Sequence, residues 1–181
     1  AAVVAQTLEQ ARQAAEAIEV DYDSLPVAVH LADATAPGAP LMCEELGDNI
    51  AAEMRHGDAK ATAAAFAAAK HVVRLNIANQ RLSALALEPR SVLHTYDAES
   101  GRLTIRMSSQ MPSGLRDTVC GALNLPKAQC RVIVGDVGGG FGMKTGAYPE
   151  DVAVAFCCRA LKQPVKWIAD RGEEFLSAGH G

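Results

Sequence analysis

The stretch CRVIVGDVGGGFGMKTGAYPEDVAVAFCCRALK, residues 130–162, joins a predicted strand, a glycine-rich loop and a predicted helix. Residues 130–136 are typical of a strand, and Pro149 suits the first turn of the helix that follows. Glycine loses more backbone entropy on folding than any other residue, so a run of glycines is costly. Loops between a strand and a helix often hold phosphates or cofactors. The loop is therefore the first candidate site.

Strand and helix patterns continue on both sides of this loop. Alternating apolar and polar residues predict a hairpin over residues 91–108, with the turn DAESG in its middle. Pro112 opens a predicted helix over residues 112–123, and residues 164–170 are typical of a final strand. In the predicted helix 149–162, the residues expected to face the core are Val152, Ala155, Phe156 and Ala160.

The N-terminal part is less regular, and Pro and Gly interrupt it. Its predicted elements are an amphipathic helix over residues 5–19, a strand-like piece over 20–29, a linker over 32–58, a helix over 59–70 capped by Asp58, and a strand over 71–77. The chain begins at Ala1 within a predicted helix, and we expect both ends to continue into a longer protein.

Composition excludes several classes of protein. The net charge of −4 and the lack of a basic block argue against a nucleic-acid binder. No apolar run approaches the roughly 20 residues that span a bilayer, and the N-terminus lacks the features of a signal peptide. The five cysteines form no CxxC pair, so we expect free, mostly buried thiols and a cytoplasmic protein.

Two common phosphate-binding patterns fit the glycine loop poorly. The dinucleotide fingerprint GxGxxG fails on spacing, and its acidic partner about 20 residues on is missing. The P-loop pattern nearly matches Gly138–Thr145, but Met143 stands where the wrapped loop needs glycine. A different glycine-rich clamp and a tight turn without any ligand both stay open.

Five collinear stretches resemble one family. They are DVGGGFGMK at 136–144, ANQRLSALALEPRSV at 78–92, SSQMPSGLRD at 108–117, PVKWIADRGEEFLSAGH at 164–180 and IEVDYDSLPVAV at 18–29. Together they resemble the molybdenum hydroxylases, the family of xanthine dehydrogenase, aldehyde oxidase and the large subunit of aerobic carbon monoxide dehydrogenase. The continuation GMKTGAYPED is more similar to the carbon monoxide dehydrogenase type, and Thr145 stands where xanthine oxidases have a purine-contacting glutamate.

The resemblance implies an α+β fold, with mixed sheets and packed helices. Residues 1–31 would be the C-terminal end of a small α/β-hammerhead-type domain, and residues 32–58 a linker. Residues 59–181 would be the N-terminal part of the molybdenum cofactor-binding domain.

The resemblance also implies a cofactor site. Gln80, Gly139, Gly140, Phe141 and Gly142 would bind molybdopterin or its cytosine dinucleotide form, and Gly138 would help the backbone approach it. Gln80 and Phe141 would lie near the metal without ligating it. Apart from the resemblance, the alternative role of Phe141, which can hold at the same time, is a core plug that anchors the loop. We expect Glu88 and Arg90 to form a structural ion pair near the site. Lys144 would either neutralise nearby charge or point to water.

The implied activity is hydroxylation or dehydrogenation of an aldehyde, an N-heterocycle or carbon monoxide, with water as the oxygen source. The implied partners are the rest of the large subunit and the subunits or domains that carry iron–sulfur clusters and FAD. The family's catalytic glutamate has no match here, so these residues alone should be inactive. The alternatives are a non-catalytic scaffold or binding module, and a phosphate-binding loop protein.

Overall fold

A computed structural model describes residues 1–80 and 82–179 of the chain. Arg81, His180 and Gly181 lie outside the described residues, so the motif stretches at 78–92 and 164–180 are each described except for one position. The chain divides into two compact units. One comprises Ala1–Ile18 with Ala78–Gly181, and the other comprises Glu19–Ile77.

The first unit is built on a mixed four-stranded sheet with strand order β3-β2-β1-β4. Its strands are β1 (Ser91–Asp97), β2 (Arg102–Met107), β3 (Cys130–Ile133) and β4 (Val165–Ile168). β1 pairs antiparallel with β2 from Val92↔Met107 to Asp97↔Arg102, which confirms the predicted hairpin. β4 pairs antiparallel with β1, and β3 pairs parallel with β2.

Helices connect the strands that a tight turn cannot join. A parallel pair needs a crossover, and α4 (Pro112–Ala122) provides it between β2 and β3. α5 (Pro149–Leu161) leads from the glycine loop to β4, and α6 (Arg171–Ser177) follows β4. Both Pro112 and Pro149 stand in the first turn of their helices, as predicted.

The main core lies between the sheet and helices α4 and α5. Its buried members are Val92, Leu103, Ile105, Leu115, Val119, Cys120, Cys130, Val154, Ala155, Cys158 and Val165. α5 buries Asp151, Val154, Ala155 and Cys158, so of its four predicted core residues only Ala155 is buried. Phe156 is 60% exposed. The i, i+4 pair Val154 and Cys158 faces the sheet, so the helix is rotated by about one residue, roughly 100°, from the predicted face.

The first unit also contains α1 (Leu8–Glu16), which is shorter than the predicted helix over 5–19. Thr7 and Gln10 form a reciprocal capping box, which fixes where the helix begins. The Leu8 side chain of its apolar stripe is exposed.

The second unit, residues 19–77, contains short helices joined by irregular chain. α2 (Leu31–Ala34), a 3-10 turn at Glu44–Leu46 and α3 (Ala59–Ala68) are its regular elements. Asp58 accepts a hydrogen bond from the Ala61 N–H at 2.9 Å, which confirms the predicted cap. The predicted strands over 20–29 and 71–77 are wrong, because this unit contains no strand. Alternation along the sequence makes a strand only where a neighbouring strand supplies hydrogen bonds.

All five cysteines are free, and three of them are buried, as expected. Burial and the neighbouring Cys120 thiol raise the pKa of Cys130 to about 12, so that thiol stays protonated and serves packing. In the part of the chain that is described, no helix is both long and apolar enough to cross a membrane.

The mixed sheet and its helices confirm the predicted mixture of α and β structure. The hammerhead-type domain and the boundaries at 31/32 and 58/59 stay predictions.

Candidate functional site

Three segments of the chain meet at one edge of the sheet. β2 and β3 are parallel, so the segments that follow them, 108–110 and 134–144, leave from the same edge. β1 runs antiparallel to β2, and its first residues pair with the last residues of β2. The segment that precedes β1, residues 86–90, therefore reaches the same edge. The topology of the sheet brings together pieces of chain that are far apart in sequence.

Lys144 and Glu88 form the centre of this junction. The Lys144 side chain is 1% exposed. Its Nζ donates to the Glu88 carbonyl oxygen at 2.8 Å, to Glu88 Oε2 at 2.9 Å and to Ser108 Oγ at 2.9 Å. An ammonium group has three N–H donors, and all three are used here. The lysine next to the glycine loop is therefore part of the protein interior.

Glu88 ties the other two segments together. Its Oε2 accepts hydrogen bonds from Ser108 Oγ at 2.6 Å and from the Gly138 N–H at 2.8 Å, in addition to the one from Lys144. Burial would raise the pKa of Glu88, but the hydrogen bonds from Ser108, Lys144 and Gly138 lower it to about 2. The carboxylate stays ionised at neutral pH, and Lys144 neutralises it.

The predicted ion pair between Glu88 and Arg90 is wrong. Arg90 instead pairs with Glu150 at 3.1 Å, and its guanidinium stacks over the Tyr148 ring at 3.8 Å from the centroid. Each of the two charges finds its partner on the chain that follows β3. Of the two roles expected for Lys144, the structure shows charge neutralisation.

The glycines of the loop differ in what makes them necessary. A Cβ on Gly138 would lie 2.5 Å from Glu88 Cβ, and a Cβ on Gly140 would lie 2.5 Å from the Gln110 carboxamide. Gly139 and Gly142 have φ of +103° and +84°, a region that favours glycine. A Cβ on Gly142 would meet nothing within 4 Å. The protein itself therefore crowds Gly138 and Gly140, whereas Gly142 borders open space.

The glycine loop carries backbone N–H groups that are not used within the described structure. Among the described residues, the backbone N–H groups of residues 139–142 donate to no protein acceptor. The N–H groups on either side are used: Gly138 donates to Glu88, and Met143 donates to the Gly140 carbonyl at 2.8 Å. A backbone N–H bond to a charged acceptor contributes about 1.5–3 kcal/mol. The loop is suited to an anionic or oxygen-rich group.

Phe141 is an exposed apolar residue of the loop. The residue is 70% exposed and its φ is +50°, a region uncommon for residues other than glycine. The expectation that Phe141 also plugs the core is therefore wrong. Gln80 is exposed and lies in the same unit, and its role near a metal stays a prediction.

Sequence reasoning did not single out Ser108 or Gln110, although both belong to one of the recognised motif stretches. The sequence feature that could have indicated them is the run of polar residues 108–110 directly after the buried strand β2. Without the parallel pairing of β2 and β3, nothing in the sequence indicated that this run lies beside the glycine loop.

Similarity to known proteins identifies the family to which a chain with this site belongs. The chain is 34% identical over 185 residues to the carbon monoxide dehydrogenase large chain of Hydrogenophaga pseudoflava, covering 96% of this chain and 23% of that protein. It is 31% identical over 180 residues to the nicotine 6-hydroxylase large subunit of Paenarthrobacter nicotinovorans, covering 98% of this chain and 22% of that subunit.

Solved structures agree with these relatives. The crystal structure of quinoline 2-oxidoreductase from Pseudomonas putida 86 has a TM-score of 0.85 and 34% sequence identity, covering 98% of this chain and 22% of that one. The chain thus spans less than a quarter of the length of these relatives. Residues 42–181 match the molybdopterin cofactor-binding domain family, and this range includes the glycine loop and its supporting residues. The resemblance inferred from the five motif stretches is confirmed, and the chain belongs to the molybdopterin cofactor-binding domain family of the molybdenum hydroxylases.

Proposed function

We propose that the loop Gly139–Gly142 contacts molybdopterin in the large subunit of a molybdenum-dependent hydroxylase or dehydrogenase. The observation that carries this proposal is the set of four consecutive backbone N–H groups that, within residues 1–80 and 82–179, have no protein acceptor. When bound, the cofactor supplies the redox centre that oxidises a substrate with water as the oxygen source. The residues of this chain fit such a group because the loop offers unused N–H donors, and Gly142 has open space beside it.

Each part of the loop has its own role in this proposal. The amides donate to oxygen atoms of the cofactor, and Gly142 leaves room for close approach. Phe141 presents an apolar ring beside them, which keeps water from that side. Gln80 supplies a neutral side-chain donor near the metal, a group that polarises without adding a titrating charge. Lys144 and Glu88 cancel each other's charge, so attraction for an anion comes from the backbone dipoles.

The proposal extends to the whole enzyme. The residues 1–31, 32–58 and 59–181 would be the end of a hammerhead-type domain, a linker and the first part of the cofactor domain. The complete enzyme would contain the rest of the large subunit together with iron–sulfur and flavin subunits. It would act on a small-molecule substrate in the cytoplasm. The substrate would be an aldehyde, an N-heterocycle or carbon monoxide, and the pterin would be the plain or cytosine dinucleotide form.

The structure argues against the phosphate-binding alternative. In a P-loop the lysine reaches the phosphates of the nucleotide. Here the Nζ of Lys144 points into the protein, and Glu88 and Ser108 use all its donors. The loop can still bind an anion through its amides, but without the lysine that defines nucleotide binding by a P-loop.

The test is the molybdenum and pterin content of the longest natural chain that contains these residues, purified together with its partners from a host that makes the cofactor. We expect close to one molybdenum atom and one pterin per chain. Gly142→Ala should lower both contents at least tenfold, because the added methyl group stands where the cofactor approaches.

A matched control uses Gly38, whose φ of +81° is close to that of Gly142 and where an added Cβ also meets nothing within 4 Å. Gly38→Ala carries the same backbone strain and should leave metal and pterin contents unchanged. Wild-type protein without metal and pterin from such a host would reject the proposal and favour a non-catalytic scaffold or binding module.

A further inference from the structure

We propose that Gln110 is a positioning residue for the glycine loop, and that residue 140 is glycine because of Gln110 rather than because of the ligand. The proposal rests on the proposed function, in which the loop contacts the cofactor. It separates Gly140, where a neighbouring side chain leaves no room for a Cβ, from Gly142, where a Cβ would meet open space.

The first observation is the space beside Gly140. A Cβ at this position would lie 2.5 Å from both Cδ and Oε1 of Gln110 and 2.8 Å from its Cγ. Real Cβ atoms do not approach other heavy atoms this closely. The carboxamide of Gln110 thus fills the place next to the Gly140 backbone that a side chain would take. The backbone of Gly140 is not at positive φ, so alanine there is opposed by Gln110 and not by its own conformation.

The second observation is that Gln110 is fixed from the other side. Its side-chain Oε1 accepts a hydrogen bond from the Lys144 backbone N–H at 3.1 Å, and its backbone N–H donates to the Lys144 carbonyl oxygen at 2.9 Å. Both polar groups of the Lys144 backbone are therefore bonded to one residue. Lys144 in turn is anchored through its side chain to Glu88 and Ser108.

These contacts place Gln110 between the two ends of the turn at 140–144. One end is the Gly140 backbone, which the carboxamide touches, and the other is the Lys144 backbone, to which it is bonded. The peptide between Gly140 and Phe141 carries one of the free N–H groups. Since Gln110 limits where Gly140 can lie, it sets the direction of that N–H through the backbone of the loop.

A double-mutant cycle tests this assignment in the full-length enzyme with its partners. The variants are Gly140→Ala, Gln110→Ala and the two combined. Each single change breaks the same contact, so we expect each to lower molybdenum content by roughly fivefold, the effect of one lost hydrogen bond. The double variant should be no worse than either single variant, because Gln110→Ala removes the group that alanine at 140 displaces.

Two further measurements separate positioning from mere stability. The electron paramagnetic resonance spectrum of the partly reduced metal should change in the same way in both single variants. Gln110→Glu keeps an acceptor for the Lys144 N–H and should restore the wild-type spectrum. Unfolding by urea of the metal-free protein should show the same lack of additivity between Gly140→Ala and Gln110→Ala.

Two outcomes would overturn the inference. If Gly140→Ala lowers metal content further in the Gln110→Ala background, the ligand itself requires the glycine. If Gln110→Ala keeps the wild-type content and spectrum, Gln110 positions nothing. A wild-type enzyme without molybdenum would instead refute the proposed function, and the urea cycle, which needs no metal, would still decide whether Gln110 and Gly140 are coupled.

Discussion

The junction behind the glycine loop and the middle of the sheet each bury a basic side chain, with opposite hydrogen bonding. Lys144 in the junction uses all three of its donors. His94 on β1 is fully buried between the strands β2 and β4, and neither of its ring nitrogens has a hydrogen-bond partner in the described structure. Both side chains are removed from water, but only Lys144 is compensated for this.

The difference shows what each polar group contributes. A buried polar group that makes all its hydrogen bonds holds segments of the chain in one arrangement. If one partner is removed, the desolvation penalty of the remaining group is no longer offset and the fold is destabilised. A buried group without partners destabilises the fold as long as it stays, and it does so more once it becomes charged. The junction should therefore depend on its charges, whereas the sheet should tolerate the loss of its histidine.

The largest effect is expected at Lys144. Lys144→Met leaves the Glu88 carboxylate without its counter-charge and should lower the free energy of unfolding by about 3 kcal/mol. Urea denaturation at pH 7 measures it. The control is Lys127→Met, which breaks an exposed pair with Asp117 at 2.6 Å and should cost less than about 1 kcal/mol. Equal losses in the two variants would show that the junction contributes no more than a surface ion pair.

Acid should affect the sheet before it affects the junction. Burial lowers the pKa of His94 from 6.5 to about 4, so between these values the unfolded chain binds a proton that the folded chain does not. The contribution of neutral His94 to the free energy of unfolding is therefore complete above pH 6.5 and is lost as the pH falls towards 4. The free energy of unfolding should fall by about 2 kcal/mol between pH 7 and pH 5. Urea midpoints across this range measure the loss.

The variant His94→Leu should remove that part of the pH dependence, and His30→Leu, at an exposed histidine, should not. Glu88, whose pKa falls from 4.5 to about 2, contributes stability that is lost only below pH 4.5. A flat profile between pH 7 and pH 5 in the wild-type protein would contradict the assignment of His94 as a buried, neutral group.

The smallest effect is expected at Phe141, the exposed apolar residue of the loop. Because the residue is 70% exposed, Phe141→Ala should change the free energy of unfolding of the metal-free protein by less than about 0.5 kcal/mol. Leu115→Ala, at a fully buried site on α4, should cost about 3 kcal/mol in the same assay. A loss above about 1.5 kcal/mol at Phe141 would restore its predicted role as a core plug.

Features that depend on neighbouring residues were predictable from the sequence. Pro112 and Pro149 mark helix starts, Asp58 caps α3, and the turn between β1 and β2 follows from alternation and turn residues. The family was also predictable, because its five motif stretches are collinear. Each of these signals lies within one short stretch of sequence, so no tertiary contact is needed to interpret it.

Features that depend on distant contacts were not predictable. The alternation at 71–77 predicted a strand, but no partner strand pairs with it. Glu88 is bonded to Lys144, 56 positions away, and not to the nearby Arg90. The reason for glycine at 138 and 140 lies in Glu88 and Gln110, which only the folded chain brings near. The roles of Gln80, Gly139, Gly140, Phe141 and Gly142 in binding a cofactor remain predictions.

The sequence separation of Glu88 and Lys144 has a consequence for how the protein is made. A ribosome adds roughly 5–20 residues per second, so Glu88 leaves it about 3–11 s before Lys144, which follows 56 positions later. The hairpin of β1 and β2 closes a short loop and can form during this interval, whereas the junction cannot. Until Lys144 arrives, the loop has no support on which to arrange its amides. We therefore expect a cofactor to enter after synthesis of this region, once the chain has closed on itself.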